Sequence, residues 1–129
     1  MKLNLDCCRD ILLTIEAQTE RMDMQLYDFL KLLPQYSELE IEYCLEKLYE
    51  ADYIHLTCEP FSNSSSELII ISIEDLTFQG HEFLENIRSK NVWDKTKNIC
   101  GNIGSFSLDV IKTVATDIIT NLISQHLNI

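Results

Sequence analysis

Residues 37–73 read SELEIEYCLEKLYEADYIHLTCEPFSNSSSELIIISI. Ser37 is followed by a glutamate three residues later and then by apolar residues at helical spacing, which predicts a capped amphipathic helix. Residues 53–59 and 68–73 are rich in β-branched and aromatic side chains, and the polar, serine-rich stretch at 60–66 is typical of a hairpin tip. This segment therefore predicts a helix followed by a small antiparallel sheet.

Three elements are predicted before this segment. Apolar residues at a period of 3.6 predict a helix over 6–18, and the triplet 22–24 is compatible with one short strand. A second helix is predicted over 26–33, where Pro34 ends it because the residue before a proline avoids helical backbone.

After the sheet, Thr77 is a natural N-cap for a helix that we expect to end near residue 89. A short helix is predicted over 92–99, residues 100–104 form the best linker of the chain, and a last helix is predicted over 107–127. This order predicts a mainly α (α+β) winged helix-turn-helix with a small antiparallel β-wing and extra C-terminal helices. We expect a winged-helix domain over 1–90 and a helical extension over 91–129.

Three passages also carry a family resemblance: residues 1–13, residues 43–54, and residues 73–88 with the Val92-Trp93 pair that follows. They resemble a domain-of-unknown-function family of short bacterial and phage proteins, and GHEFL at 80–84 and the later Trp93 are the most specific parts. The similarity covers nearly the whole chain. It implies a winged-helix fold and no particular activity.

One position departs from the family pattern. Asp52 stands where such sequences usually have glycine after the third helix. Aspartate tolerates left-handed backbone better than most residues, so we expect the turn to be kept.

The charge is unevenly distributed. The net charge is −11; residues 1–90 hold 18 acids and 7 bases, and residues 91–129 hold 3 of each. An acidic surface repels phosphate backbones and anionic lipid headgroups, so the composition argues against nucleic-acid and membrane surfaces.

The helix predicted after Ser37 lies where DNA-binding members of this fold place their recognition helix, and it is acidic. Residues 37–52, with Asp52 included, hold six acids and one base, whereas phosphate contacts need cations. We therefore favour a solvated acidic face over a DNA-reading one; the same face could also dock a basic protein or mimic DNA. The hypothetical partner-binding residues are Glu38, Glu42, Tyr43, Glu46, Lys47 and Glu50.

A DNA-binding transcriptional regulator stays open as the alternative. It would need another surface, such as that of Lys95 and Lys97, or a basic partner subunit.

The helix predicted over 107–127 carries a broad apolar stripe that must be buried somewhere. A two-fold homodimer is favoured slightly over packing back on the domain. The hypothetical dimer contacts are Leu108, Ile111, Ala115, Ile118 and Leu122.

The sequence offers no catalytic, cofactor-binding or metal-binding motif. The five cysteines (Cys7, Cys8, Cys44, Cys58 and Cys100) contain no Cys-x-x-Cys pair, which favours buried, reduced thiols. His81 and Glu85 stand four residues apart, but no recognised motif adds a nucleophile. With no signal peptide and no apolar run long enough to span a membrane, we expect a cytoplasmic, non-enzymatic protein without cofactor, metal or small-molecule substrate.

Overall fold

The computed structural model describes residues 1–63 and 68–127. Within them the chain is mainly helical, with six helices and a three-stranded antiparallel sheet. The elements are α1 (Leu5–Glu16), β1 (Met24–Gln25), α2 (Leu26–Leu30), α3 (Glu38–Glu50), β2 (Ile54–Pro60), β3 (Leu68–Leu76), α4 (Phe78–Ile87), α5 (Lys90–Ile103) and α6 (Leu108–Leu127). Residue contacts divide the chain into two compact units, residues 1–81 and 82–129.

The sheet of the first unit has the strand order β1-β3-β2. β1 is short and pairs only Met24 with Ile73 and Gln25 with Ser72. β2 pairs with β3 from Ile54 opposite Leu76 to Pro60 opposite Leu68, with two register shifts. The predicted hairpin is confirmed in its strands, whereas residues 64–66 of its tip lie outside the described residues.

Helices α1 and α3 supply much of the core of the first unit. Ile11 and Leu12 of α1, and Ile41 and Leu45 of α3, have no exposed surface. These residues follow the helical period that predicted both helices, so burial of one apolar stripe explains why each segment is a helix.

Asp52 ends the turn between α3 and β2. Its φ of 64° is the only positive value at a non-glycine residue among the described residues. The expectation that aspartate keeps the left-handed turn is confirmed.

The junction of β3 and α4 is held by Thr77. Its Oγ1 donates to the carbonyl oxygen of Asp52 at 2.6 Å and accepts from the Gly80 amide at 2.9 Å. Its own amide donates to the carbonyl oxygen of Tyr53 at 3.0 Å. The predicted N-cap therefore also fixes the first turn of α4 to the turn that precedes β2.

Several boundaries differ from the sequence-based prediction. Helix α2 ends at Leu30 rather than at residue 33, so Pro34 does not end it, because the following backbone amides bond three residues back instead of four. Strand β3 extends to Leu76 rather than to residue 73. The short strand is Met24–Gln25 rather than 22–24, because these two residues form the pairing with β3, whereas the Met22 amide donates to the side chain of Asp75.

The proposed linker at 100–104 was wrong for its first four residues, since α5 continues to Ile103. Cys100 is fully buried, and Gly104 with φ of 86° supplies the left-handed cap that ends the helix.

In the second unit α6 packs along α5. Ser107 Oγ accepts from the Val110 amide at 3.1 Å, which confirms Ser107 as the N-cap of α6. No helix within the described residues is long and apolar enough to cross a bilayer.

Candidate functional site

Helix α3 separates its residues between the core and solvent. Ser37 caps it by accepting from the Glu40 amide at 3.2 Å. The residues of its buried stripe are Ile41, Cys44, Leu45 and Leu48. The acidic residues predicted to bind a partner are therefore left on the outer side of the helix.

The outer side of α3 and the beginning of β3 border a groove of about 500 Å³. Five of the six residues predicted to bind a partner lie in its lining; Glu38, the sixth, does not. The described residues that line the groove are Leu39, Glu42, Tyr43, Glu46, Lys47, Glu50 and Leu68. We call this feature the α3 groove.

Lys47 is the one cation among the described residues of the α3 groove, and it is already engaged. Its Nζ lies 3.0 Å from Glu50 Oε2 and 5.3 Å from the centroid of the Tyr43 ring. The hydrogen bond to Glu50 raises the pKa of Lys47. The positive charge that could neutralise a DNA phosphate is thus already paired with a carboxylate of the same helix.

Glu42 lies between two further glutamates of α3. Partial burial raises its pKa first, and the charges of Glu38 and Glu46, one helical turn away on either side, raise it further. Like charges four residues apart destabilise a helix, so this acidic surface is maintained against a local cost in stability.

Replacement of Glu42 by glutamine is expected to stabilise the chain by about 0.5 kcal/mol at pH 7, because it removes two like-charge pairs. The pKa of Glu42 is raised on folding, so its ionisation opposes folding above that pKa and the penalty vanishes as the carboxyl becomes protonated. Urea denaturation should therefore show the gain at pH 7 and little gain at pH 4. An equal gain at both pH values would mean that charge repulsion is not its source.

Leu39 and Leu68 were missed by the sequence-based analysis. Leu39 is 62% exposed although it is an apolar residue in a well-formed helix. Its position away from the apolar stripe was a signal available in the sequence. The approach of Leu68 to α3 was not available, because it depends on how the hairpin packs.

The five residues predicted for a dimer contact do not share one environment. Ile111 and Ala115 are fully buried within the single chain, and Leu108, Ile118 and Leu122 are half-buried. Further along α6, Ile123 is 52% exposed and Leu127 is 76% exposed. The part of the apolar stripe accessible to another molecule therefore lies towards the C-terminal end of α6.

Three cysteines from two helices come together in the first unit. Cys7 and Cys8 of α1 and Cys44 of α3 are buried, and Cys44 Sγ lies 3.4 Å from the carbonyl oxygen of Asn4. Hydrogen bonding to Cys44 and burial raise the pKa of Cys7 and Cys8. In the described part of the chain, no three His, Cys, Asp or Glu residues are arranged to hold a metal ion.

A polar pocket on the sheet contains Ser72, Thr57 and Glu74 beside His55. The hydroxyl groups of Ser72 and Thr57 both donate to the carboxylate of Glu74. Both hydroxyls are thus hydrogen-bonded to a carboxylate. A nucleophilic site of the Ser–His type would instead pair a hydroxyl with an imidazole.

Of the other residues weighed for chemistry or DNA contact, Glu85 and Lys97 have partners within the second unit. Glu85 accepts from Arg88 Nη2 at 2.7 Å. Lys97 Nζ lies 5.6 Å from the centroid of the Trp93 ring, and Lys95 is exposed on α5.

Comparison with known proteins identifies the family. Residues 2–107 match the family described as "Hypothetical protein (DUF2513)". The chain belongs to the DUF2513 family. The DUF2513 match includes the whole α3 groove and ends just before α6. The expected relationship to a domain-of-unknown-function family is thus confirmed.

A bacterial relative of this DUF2513 chain extends over nearly its full length. It is a protein of Haemophilus influenzae (strain ATCC 51907 / DSM 11121 / KW20 / Rd) titled "Uncharacterized protein", 34% identical over 125 residues. The alignment covers 96% of this chain and 100% of the relative. No solved structure matches the chain.

Proposed function

We propose that this DUF2513 protein is a non-enzymatic winged-helix module that binds another protein through the α3 groove and dimerises through α6. The observation that carries the proposal is the composition of the α3 groove, in which three glutamates surround one lysine that is already paired with Glu50.

The winged-helix assignment rests on element order and strand order. In the first unit the elements follow the order α1, β1, α2, α3, β2, β3, and the strand order in the sheet is β1-β3-β2. In DNA-binding proteins of the helix-turn-helix class, the helix in the position of α3 enters the major groove. This topology is the specific observation that favours the second candidate function, a bacterial or phage DNA-binding regulator.

Electrostatics favours a protein partner over DNA. Duplex DNA carries about one negative charge per 1.7 Å of its axis, and proteins gain affinity by neutralising phosphates with cations. If α3 lay in a major groove, Glu42, Glu46 and Glu50 would come close to phosphates. A protein partner does not need cations on this surface, and it can itself supply lysines or arginines that face the glutamates.

Dimerisation is proposed from the length and charge of the second unit. α6 has 20 residues and α5 has 14, so α5 is too short to cover α6 along its whole length. Residues 91–129 have no net charge, whereas the rest of the chain carries −11. Two acidic copies can therefore approach each other with least repulsion through this region.

An electrophoretic shift assay at low salt tests the choice between protein and DNA. We expect no shift of a random duplex by the natural chain. We expect a shift that weakens steeply with added salt for a variant in which Glu42, Glu46 and Glu50 are all lysine, because this variant reverses the charge of the surface thought to face DNA. Tight, salt-sensitive binding by the natural chain would overturn the protein-partner proposal in favour of the regulator.

A further inference from the structure

We infer that the α3 groove receives a cationic amphipathic helix of another protein. Its apolar residues would pack against Leu39, Tyr43 and Leu68, and its lysines or arginines would face the glutamates of α3. This inference rests on the proposed role of α3 in protein binding and adds the chemical class of the partner.

The apolar part of the groove provides the anchoring surface. Leu39 is 62% exposed, and Tyr43 lies one helical turn after it on the same side of α3. Leu68, at the beginning of β3, lines the groove together with these two residues. Grooves lined by apolar side chains are the surfaces into which amphipathic helices lay their apolar face.

The acidic part of the groove provides charge complementarity. Glu42, Glu46 and Glu50 occur every fourth residue, which places successive side chains about 6 Å apart along the helix axis, and Glu38 continues this row just outside the groove lining. Partial burial raises the pKa of Glu42, and repulsion from Glu38 and Glu46 raises it further. Cations of a partner at matching spacing would relieve that repulsion on binding.

A helix fits this groove better than an extended peptide. The glutamates and the apolar residues form two neighbouring rows on α3, because Leu39 and Tyr43 each follow a glutamate by one position. One face of an extended strand presents a single row of alternate side chains. An amphipathic helix presents an apolar row beside a charged row to the same surface, as in helix-in-groove recognition.

Binding of synthetic peptides to the full chain, followed by fluorescence anisotropy, tests the inference. The probe is a peptide of about 16 residues built from leucine, alanine and lysine, long enough to form a helix. Its leucines form one stripe and its lysines recur every fourth residue beside that stripe. A scrambled peptide of identical composition keeps the charge and loses the stripe, and we expect it to bind at least about tenfold more weakly.

Two charge-matched variants locate the binding site. The double variant Glu46→Lys/Glu50→Lys is expected to weaken binding of the ordered peptide at least about tenfold. The control Glu20→Lys/Glu82→Lys makes the same change in net charge at exposed positions outside the groove lining, and should leave the affinity within about threefold of the natural value. Leu39→Ser, which keeps every charge, is expected to weaken binding by about tenfold.

The outcomes separate this inference from the proposed function. Equal binding of the ordered and scrambled peptides, equal effects of the two double variants, or no binding of either peptide would overturn the cationic-helix assignment. The protein-binding proposal itself would still be judged by the DNA shift assay, because that assay does not depend on the peptide.

Discussion

Replacing Gly80 with alanine is expected to destabilise the protein by about 3 kcal/mol, the largest effect we predict for a single methyl group. A Cβ atom at this position would lie 1.9 Å from the carbonyl oxygen and 2.9 Å from the carbonyl carbon of Tyr53. Both are backbone atoms, so no side-chain rotation can relieve the overlap. The Thr77 amide and hydroxyl hold residues 52 and 53 at that place, so relief of the clash would break these hydrogen bonds.

Helix propensity alone would predict that Gly80→Ala raises the free energy of unfolding, whereas we expect it to be lowered. Alanine inside a helix is normally more favourable than glycine by about 1 kcal/mol. Gly101 of α5 provides the matched control, because a Cβ there would meet only the Phe106 ring at 3.6 Å, an ordinary contact. Urea denaturation should show a loss for Gly80→Ala and a gain of up to about 1 kcal/mol for Gly101→Ala. A Gly80→Ala protein as stable as the natural one would mean that β2 and α4 do not approach as closely as described.

Introducing a glutamate at Ile118 is expected to convert a dimer into a monomer. Ile118 is a half-buried residue of α6, and a charge at a two-fold contact is brought close to its own symmetry mate. Burial of two unpaired carboxylates costs several kcal/mol, which is enough to dissociate a small interface. Light scattering should show a mass falling from twice 15.0 kDa to 15.0 kDa.

Two further variants test whether the loss of the dimer in Ile118→Glu comes from the interface or from unfolding of the monomer. Ile123→Glu changes a residue that is 52% exposed in the single chain, so it should dissociate the dimer with little effect on the monomer fold. Ser124→Glu adds the same charge at an exposed position that lies about 120° from Ile118 and about 160° from Leu122 around α6, and should leave the mass unchanged. A natural chain that scatters as a monomer, or an Ile118→Glu protein with intact circular dichroism and unchanged mass, rules out this interface.

The local elements of the protein were largely predictable because their signals are short-range. Periodic apolar residues gave α1 and α3, and hydroxyl caps at Ser37, Thr77 and Ser107 marked helix beginnings that the structure confirms. The linker at 100–104 was misplaced because the end of α5 depends on tertiary packing as well as on short-range signals. Two nearby glycines indicated a break, but burial of Cys100 and the left-handed cap at Gly104 let α5 run through Gly101.

By itself the sequence determined the order of the helices and strands and the acidic outer side of α3, because helical spacing alone separates Glu42 and Glu46 from the buried stripe. Only the tertiary structure decided that Leu68 of β3 lines one groove with Leu39 and Tyr43. It also decided that three cysteines from two helices lie together, and that Gly80 lies against the carbonyl oxygen of Tyr53. The physical reason is the same in each case. These contacts join residues far apart in the chain, and their distances depend on how whole elements pack, which local periodicity does not encode.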